Sequence, residues 1–237
     1  MIIATPNGAL LTLEGVCKSF GGLMAVDDLS FSVAPRRITA LIGPNGAGKT
    51  TVFNLISGLL RCDRGRIVFR GRDISRLRPQ AITRAGLVRT FQIPRVYARM
   101  TVIENLLVVG SRTRRGAAMD LLAKSGLAEV AEEYAGDLSY GQQKILDIVR
   151  ALILGPEIIL LDEPTAGASR GEQARLFDLL HTLRDAGTGF LVIEHQMEIV
   201  REHSDTVVVV NFGKKITEGP YSVIRQDERV LDAYFGR

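Results

Sequence analysis

No apolar run in the 237-residue chain approaches the roughly 18 to 20 residues that a helix needs to cross a bilayer. The start, Met1 to Pro6, lacks the charged stretch and long apolar segment of a secretory leader, so the expectation is a protein made and kept in the cytosol. Cys17 and Cys62 are the only cysteines and have no CxxC spacing. This argues against a disulfide framework or a thiolate zinc site and leaves two reduced structural thiols. Also missing are an aromatic-interleaved RNA motif and a helix-turn-helix signature. That absence matters because the charge is uneven. Between Arg61 and Arg99 stand eleven arginines against Asp63 and Asp73, a local +9 within a net +4, and Arg112, Arg114 and Arg115 extend it. Such a surface serves nucleic acid, an anionic membrane face or simple solvation, and nucleic acid has the least support.

What is present begins with Gly43-Pro44-Asn45-Gly46-Ala47-Gly48-Lys49-Thr50-Thr51, between the apolar runs Ile38 to Ile42 and Val52 to Ile56. It has the GxxxxGK[ST] spacing of a phosphate cradle. Glycines let successive N–H groups point inward at phosphate oxygens. Lys49 places a cation near the β- and γ-phosphates, and the Thr50 hydroxyl stands to ligate the Mg²⁺ that travels with them. A Gly-rich turn before an ordinary helix is the plain alternative.

Upstream, Leu11 to Glu14 and Leu29 to Val33 alternate apolar and polar residues, as strands of a half-exposed antiparallel sheet do. Phe20 falls in the turn between them, either stacking on a nucleotide base or anchoring the hairpin. Ile38 to Ile42 reads as a buried strand. Thr51 to Leu60 reads as a helix packed through Val52, Phe53, Leu55, Ile56 and Leu59, and Gly65 to Gly71 as a short strand. Gln92, after Leu87-Val88-Arg89-Thr90-Phe91, is an uncharged amide at a strand end, suited to Mg²⁺ or the attacking water, or else a surface residue. Apolar residues then recur at helical spacing at 101–107, 119–122 and 127–134, so 93–155 reads as an inserted helical subdomain.

That insert closes on Leu138-Ser139-Tyr140-Gly141-Gln142-Gln143-Lys144. Ser139 with Gln142 forms a capping box, and Ile145, Ile148, Val149, Leu152 and Ile153 form an apolar face up to Gly155-Pro156. With no acid in its first turn this helix start suits an anion, although an ordinary capped helix has the same pattern. Glu157 to Glu163 is a continuous apolar strand ending in two acids. After a phosphate loop, Asp162 would hold Mg²⁺ through water and Glu163 would polarise the water attacking the γ-phosphate. Ser169 with Glu172 starts a helix with Leu176, Phe177, Leu179, Leu180 and Leu183 inward. Phe190 to Ile193 is a buried strand ending at Glu194-His195, where His195 contacts the γ-phosphate or plays a structural part. Residues 206–211 and 214–218 read as a hairpin and 230–235 as a terminal helix or tail.

Taken together, Phe20, Gly43 to Thr51, Gln92, Leu138 to Gln142, Asp162-Glu163 and His195 resemble, in order and over nearly the whole chain, the ATP-binding cassette (ABC) transporter ATPases. Leu87 to Gln92, Thr101 to Leu106, the Tyr140 form of the signature, Ile193-Glu194-His195 and Ala233 to Gly236 are similar to the larger ATPase of high-affinity branched-chain amino-acid importers. The resemblance implies an α/β fold: a P-loop NTPase core with a mainly parallel sheet, an N-terminal antiparallel β-subdomain and an inserted helical subdomain. It implies ATP and Mg²⁺ as cofactors, with Thr50, Gln92 and Asp162 toward the metal. Glu163, His195 and Gln92 are its catalytic residues, and Phe20, Gly43 to Thr51, Ser139, Gly141 and Gln142 its nucleotide contacts. Two such subunits would face head to tail, Ser139 and Gly141 of one completing the phosphate site of the other. Permease subunits would dock at the insert and the loop after Gln92, through Val96, Tyr97 and Met100, with a solute-binding protein acting indirectly. The implied location is the cytoplasmic face of the inner membrane, with no nucleic-acid partner.

Two features depart from the family pattern. Ala168-Ser169-Arg170 stand where Leu, then Asn or Asp, then Pro are usual. Ser169 keeps the helix cap but offers no carboxylate or amide to a partner's phosphate loop, which bears on communication between the sites. The stretch between Gln92 and Leu138 is also shorter than expected for the larger importer ATPase. Coupling to another solute (urea, an amide, an aromatic acid, an exported lipid) and a soluble ABC nucleic-acid or regulatory switch are the alternatives.

Overall fold

A computed structural model describes residues 8–109 and 114–235; Met1 to Pro6, Arg112 and Gly236 lie outside them. β1 (Leu11–Phe20) and β2 (Leu23–Val33) pair antiparallel. They are longer than the strictly alternating stretches because register shifts between Leu13 and Ser19 break the period of two. Phe20 is thus the last residue of β1, and Gly21-Gly22, both at positive φ, make the turn. β3 (Ile38–Ile42) is buried at every position and leads through the loop into α1 (Lys49–Ile56). The helix stops at Ile56, where the Ser57 hydroxyl turns back to Phe53 O, so Leu59 is 49% exposed beyond it rather than on its packed side.

β4 (Arg64–Phe69), β5 (Arg72–Asp73), α2 (Pro79–Arg84) and β6 (Leu87–Arg89) follow. Next come α3 (Val102–Leu107), α4 (Arg115–Lys124) and α5 (Tyr140–Leu152). The stretch 127–134, whose apolar spacing reads as helical, forms turns instead. It is a strap on the start of α3, with Val102 N–H bonding Glu133 O and Ile103 N–H bonding Ala131 O, and its apolar side chains pack without repeating a helical face. The chain ends with β7 (Ile158–Asp162), α6 (Arg170–Ala186), β8 (Gly189–Ile193), α7 (Met197–His203), β9 (Thr206–Asn211), β10 (Lys214–Gly219), α8 (Tyr221–Ile224) and α9 (Glu228–Phe235).

The strands form a four-stranded antiparallel sheet, β2-β1-β4-β5, and a six-stranded sheet, β10-β9-β3-β8-β7-β6. The larger is parallel except for the β9–β10 hairpin. This is the α/β architecture of a P-loop NTPase with an N-terminal antiparallel sheet. Both faces of the parallel sheet are covered, which is why its strands are apolar throughout rather than alternating. Leu41, Leu160, Leu191 and Ile193 pack with α1 and the small sheet, whereas Ile159, Leu161, Phe190 and Val192 pack with α3, α5 and α6. Phe53 of α1 is fully buried in the first cluster. Phe53→Ala is expected to cost about 3–5 kcal/mol, read as a lower urea midpoint. Cys17 and Cys62 are free and half-buried.

Because β3, β8 and β7 run parallel as neighbours, their C-terminal ends open side by side. The phosphate loop, His195 and Glu163 each follow one of these ends, so topology alone brings them to one rim.

Candidate nucleotide site

The loop after β3 is built around close backbone approaches. A Cβ on Gly43 would overlap Val210 O and one on Gly48 would overlap Ala25 O, and Gly48 holds φ 99; only glycine fits either position. α1 starts with no side-chain cap and no acid in its first turn, an arrangement of N–H groups and positive dipole end that suits an anion. Lys49, 6% exposed, donates to Gly43 O at 2.6 Å and Pro44 O at 2.9 Å. Burial lowers its pKa, opposed by the Glu163 and Asp162 carboxylates. The ammonium rests on the loop's own carbonyls. Asn45 to Thr51, Glu163 and His195 line one cavity of about 470 Å³. Phe20 is not among its described lining residues; its ring has the Lys18 ammonium 5.5 Å from its centre. Leu23, Met24 and the 81% exposed Phe212 stand at the cavity instead.

Glu163 leaves β7 with φ 48, anchored by its N–H to Ile193 O at 3.0 Å. This left-handed turn sends its side chain away from that of Asp162. Gln92 Nε2 donates to Glu163 Oε2 at 2.8 Å, and His195 Nε2 lies 2.9 Å from Oε1. Residues 71 positions before and 32 positions after Glu163 thus meet on its carboxylate. Gln92 itself lies three residues beyond β6, in the following loop.

Asp162 is buried against Arg89, 3.0 Å apart, with side chains 8% and 6% exposed. Burial pushes the Asp162 carboxyl pKa up and Arg89 pulls it back. Arg89 also donates to Asn54 Oδ1 at 2.7 Å and Ser57 Oγ at 3.2 Å, and its guanidinium carbon lies 5.4 and 5.1 Å from the ring centres of Phe53 and Phe91. Of the arginines between Arg61 and Arg99 it alone is not exposed, so it does not contribute to the basic surface counted from sequence. Thr50, Asp162 and Gln92 offer hydroxyl, carboxylate and amide oxygens, the hard donors Mg²⁺ takes. Among the described residues no group of three or more His, Cys, Asp or Glu forms a cage. A cation completed by phosphate and water oxygens suits such a sparse donor set.

Ser139 and Gln142 make both halves of the capping box. The Ser139 hydroxyl also donates to the Glu172 carboxylate, whose Oε2 accepts from Ser169 N at 2.8 Å. One carboxylate therefore spans the N-termini of α5 and α6, and the Ser139 bond is the largest influence holding its pKa down. A Cβ on Gly141 would collide with that carboxylate. Ser139, Gly141 and Gln142 are absent from the described lining of the phosphate-loop cavity; within one chain they do not join it.

Four residues to which the sequence pattern assigns no individual role stand at or beside the site: Arg89, Phe212, Lys144 and Glu194. Glu194, 4% exposed, accepts from Thr165 Oγ1 at 2.6 Å and His195 N at 3.2 Å. The available signals were a charge inside the apolar run Leu87-Val88-Arg89 and a lysine beside the buried face of α5. A second cavity of about 470 Å³ lies between the loop after β6 and α5, lined by Phe91, Arg95, Val96, Tyr97, Asp147 and Arg150 among others. Val96 and Tyr97 are in it. Met100 is not, and its carbonyl instead accepts from Ala135 N.

A family model described as ABC transporter matches residues 26–166. The high-affinity branched-chain amino acid transport ATP-binding protein LivG of Salmonella typhimurium is 41% identical, covering 96% of this chain and 98% of that protein. BraF of Pseudomonas aeruginosa, with the same description, is 38% identical over the same shares. An ATP-binding cassette of an ABC transporter solved in its ADP conformation superposes with TM-score 0.89 at 34% identity, covering 97% of this chain and 99% of that one. A nucleotide-free cassette gives TM-score 0.88 at 33% identity, covering 97% and 100%. With its phosphate loop, paired acids and capped signature helix on this fold, the chain belongs to the ABC transporter family of ATP-binding cassettes.

Proposed function

We propose that the protein is the ATP-hydrolysing subunit of an importer for branched-chain or related amino acids. The observation that carries the hydrolytic role is the Glu163 carboxylate, held by Gln92 and His195 at the rim of the phosphate-loop cavity. Lys49 and the N-terminus of α1 take the phosphates, and Thr50, Asp162 and Gln92 provide for Mg²⁺, which when bound neutralises charge on the phosphoryl oxygens. Glu163 accepts a proton from the attacking water, and His195 orients that carboxylate and reaches toward the γ-phosphate. Ser139, Gly141 and Gln142 meet the nucleotide of a second subunit, so that ATP joins the two and hydrolysis releases them. The amino-acid specificity is supported by the naming of LivG and BraF over nearly the full length of this chain.

The groove beside Val96 and Tyr97 is the docking place for a permease segment on the cytoplasmic membrane face. Arg150 lies 4.7 Å over the Tyr97 ring, and buried Asn105 pins the loop through Tyr97 N and O at 2.8 and 3.1 Å. Its rim is therefore a firm surface. Tyr97→Glu is expected to reduce co-purification with co-expressed permease about tenfold while leaving ATP affinity within twofold; unchanged co-purification would remove Tyr97 from the interface. Co-purification with permeases and a solute-binding protein, followed by amino-acid binding to the latter, tests the whole reading. Binding of urea, an amide or an aromatic acid instead would replace the substrate and keep the ATPase role. Salt-sensitive binding to nucleic acid, with no permease recovered, would favour the regulatory alternative.

A further inference from the structure

At the start of α5 two side chains one turn apart leave the helix toward the backbone of Gln92 and Glu163 of their own chain. The Tyr140 hydroxyl donates to Gln92 O at 3.2 Å, and the Lys144 ammonium donates to the backbone carbonyl of Glu163. Lys144 Nζ also lies 5.4 Å from the centre of the Tyr140 ring. The spacing i, i+4 stacks the two on one face of the helix, so they form a single unit with two contacts.

Lys144 is only 4% exposed. An ammonium is expensive to bury unless its surroundings compensate it. Burial lowers its pKa, and the carboxylates of Glu194, Glu163 and Asp162 act against that. A lysine kept in so costly a place, bonded to the cavity-lining residue Glu163 without lining the cavity itself, calls for a function. Its acceptor supplies one. Glu163 holds φ 48, a region that side-chain-bearing residues adopt only when neighbouring contacts enforce it. Its carbonyl is held by Ala166 N at 3.2 Å and by Lys144. The peptide that aims the carboxylate is thus tied to α5, and Tyr140 ties the loop bearing Gln92 to the same helix.

We infer that Tyr140 and Lys144 form a positioning latch that sets Glu163 and Gln92 from α5. Neither touches the reacting atoms; they act through the base and its hydrogen-bonded amide. The consequence for the cycle is direct. α5 also begins with Ser139 and Gly141, so seating that helix start on a second subunit's phosphates fixes the base of its own site. The inference rests on the proposed roles of Glu163 and Ser139.

The test uses the whole protein with Mg-ATP, and compares Glu163→Gln, Lys144→Met, Lys144→Arg and Tyr140→Phe in steady-state hydrolysis, ATP binding and thermal unfolding. A misplacement of about 1 Å at a reacting group costs on the order of a hundredfold, so Lys144→Met is expected to lower kcat about tenfold or more with KM within about twofold. Lys144→Arg, which keeps a buried donor and charge, should recover kcat to within about threefold of the unaltered protein. Tyr140→Phe, which removes one hydroxyl from a half-exposed ring, should lower kcat about threefold without moving Tm or KM. Lys144→Met at full kcat, Lys144→Arg as slow as Lys144→Met, or a Tyr140→Phe variant indistinguishable from the unaltered protein would overturn the latch. If Lys144→Met does not fold, Lys144→Arg and Tyr140→Phe decide alone. Hydrolysis by Glu163→Gln would overturn the base itself. A silent Glu163→Gln beside a fully active Lys144→Met removes only the latch.

Discussion

Glu163→Gln is expected to bind ATP at least as tightly as the unaltered protein and to lose turnover by about a hundred- to ten-thousand-fold, the range a positioned general base contributes. The substitution preserves size and leaves an amide that still pairs with Gln92 and His195, whose present bonds to Glu163 are 2.8 and 2.9 Å. Hence the rim keeps its shape. What disappears is the carboxylate's capacity to take a proton from water. Removing one negative charge near Lys49, whose ammonium feels Glu163, also relieves repulsion of the triphosphate. Binding by a fluorescent nucleotide and phosphate release measured on the same preparation separate the two effects. Ample phosphate release from the variant would show that another group activates the water.

The second large effect is on stability. Arg89→Met is expected to destabilise the fold by about 3–5 kcal/mol, because it leaves a buried carboxylate without its partner. Asp162 is 8% exposed in its side chain and already raised in pKa by burial. Without Arg89 it moves further toward the neutral acid, a poor ligand for a divalent cation. A lower denaturation midpoint and a higher Mg²⁺ requirement for hydrolysis should therefore appear together. Pairing Arg89→Met with Asp162→Leu should recover much of the lost stability, since replacing both members of a buried pair by apolar groups is often neutral. The double variant would not recover hydrolysis. If Arg89→Met alone unfolds at the unaltered midpoint, the pair contributes nothing to the fold.

Both expectations depend on contacts that residue order does not reveal. Arg89 reads locally as one more cation in a basic stretch, because its partner is 73 residues away and burial depends on α1 and β7 closing over it. The strap at 127–134 shows the converse: its apolar residues have helical spacing, but hydrogen bonds to the start of α3 override the local period. Phe212 was illegible for another reason. It sits in a two-residue hairpin turn at φ 45, and a turn residue carries no periodic signal. The bulges in β1 similarly hid most of that strand, since each shift resets the alternation. Segments whose structure follows from near neighbours read well. The capping boxes at Ser139 and Ser169 were visible as Ser followed by Gln or Glu three positions on, and both form as read. The apolar strands β3, β7 and β8 were equally plain because both faces are covered.

Residue order alone carries the local chemistry: a glycine loop able to turn its N–H groups inward, a lysine and threonine at its exit, two acids at a strand end, and a helix start free of acid. Each of these depends on residues within one turn or one strand, where covalent neighbours set geometry. Tertiary packing was needed to show that Gln92 and His195 hold the same Glu163 carboxylate, that Arg89 is buried on Asp162, and that α5 reaches the Gln92 and Glu163 carbonyls through Tyr140 and Lys144. Those meetings follow from the parallel order β3-β8-β7 and from packing on both of its faces. They join residues far apart in the chain, whose proximity exists only once the sheet has assembled.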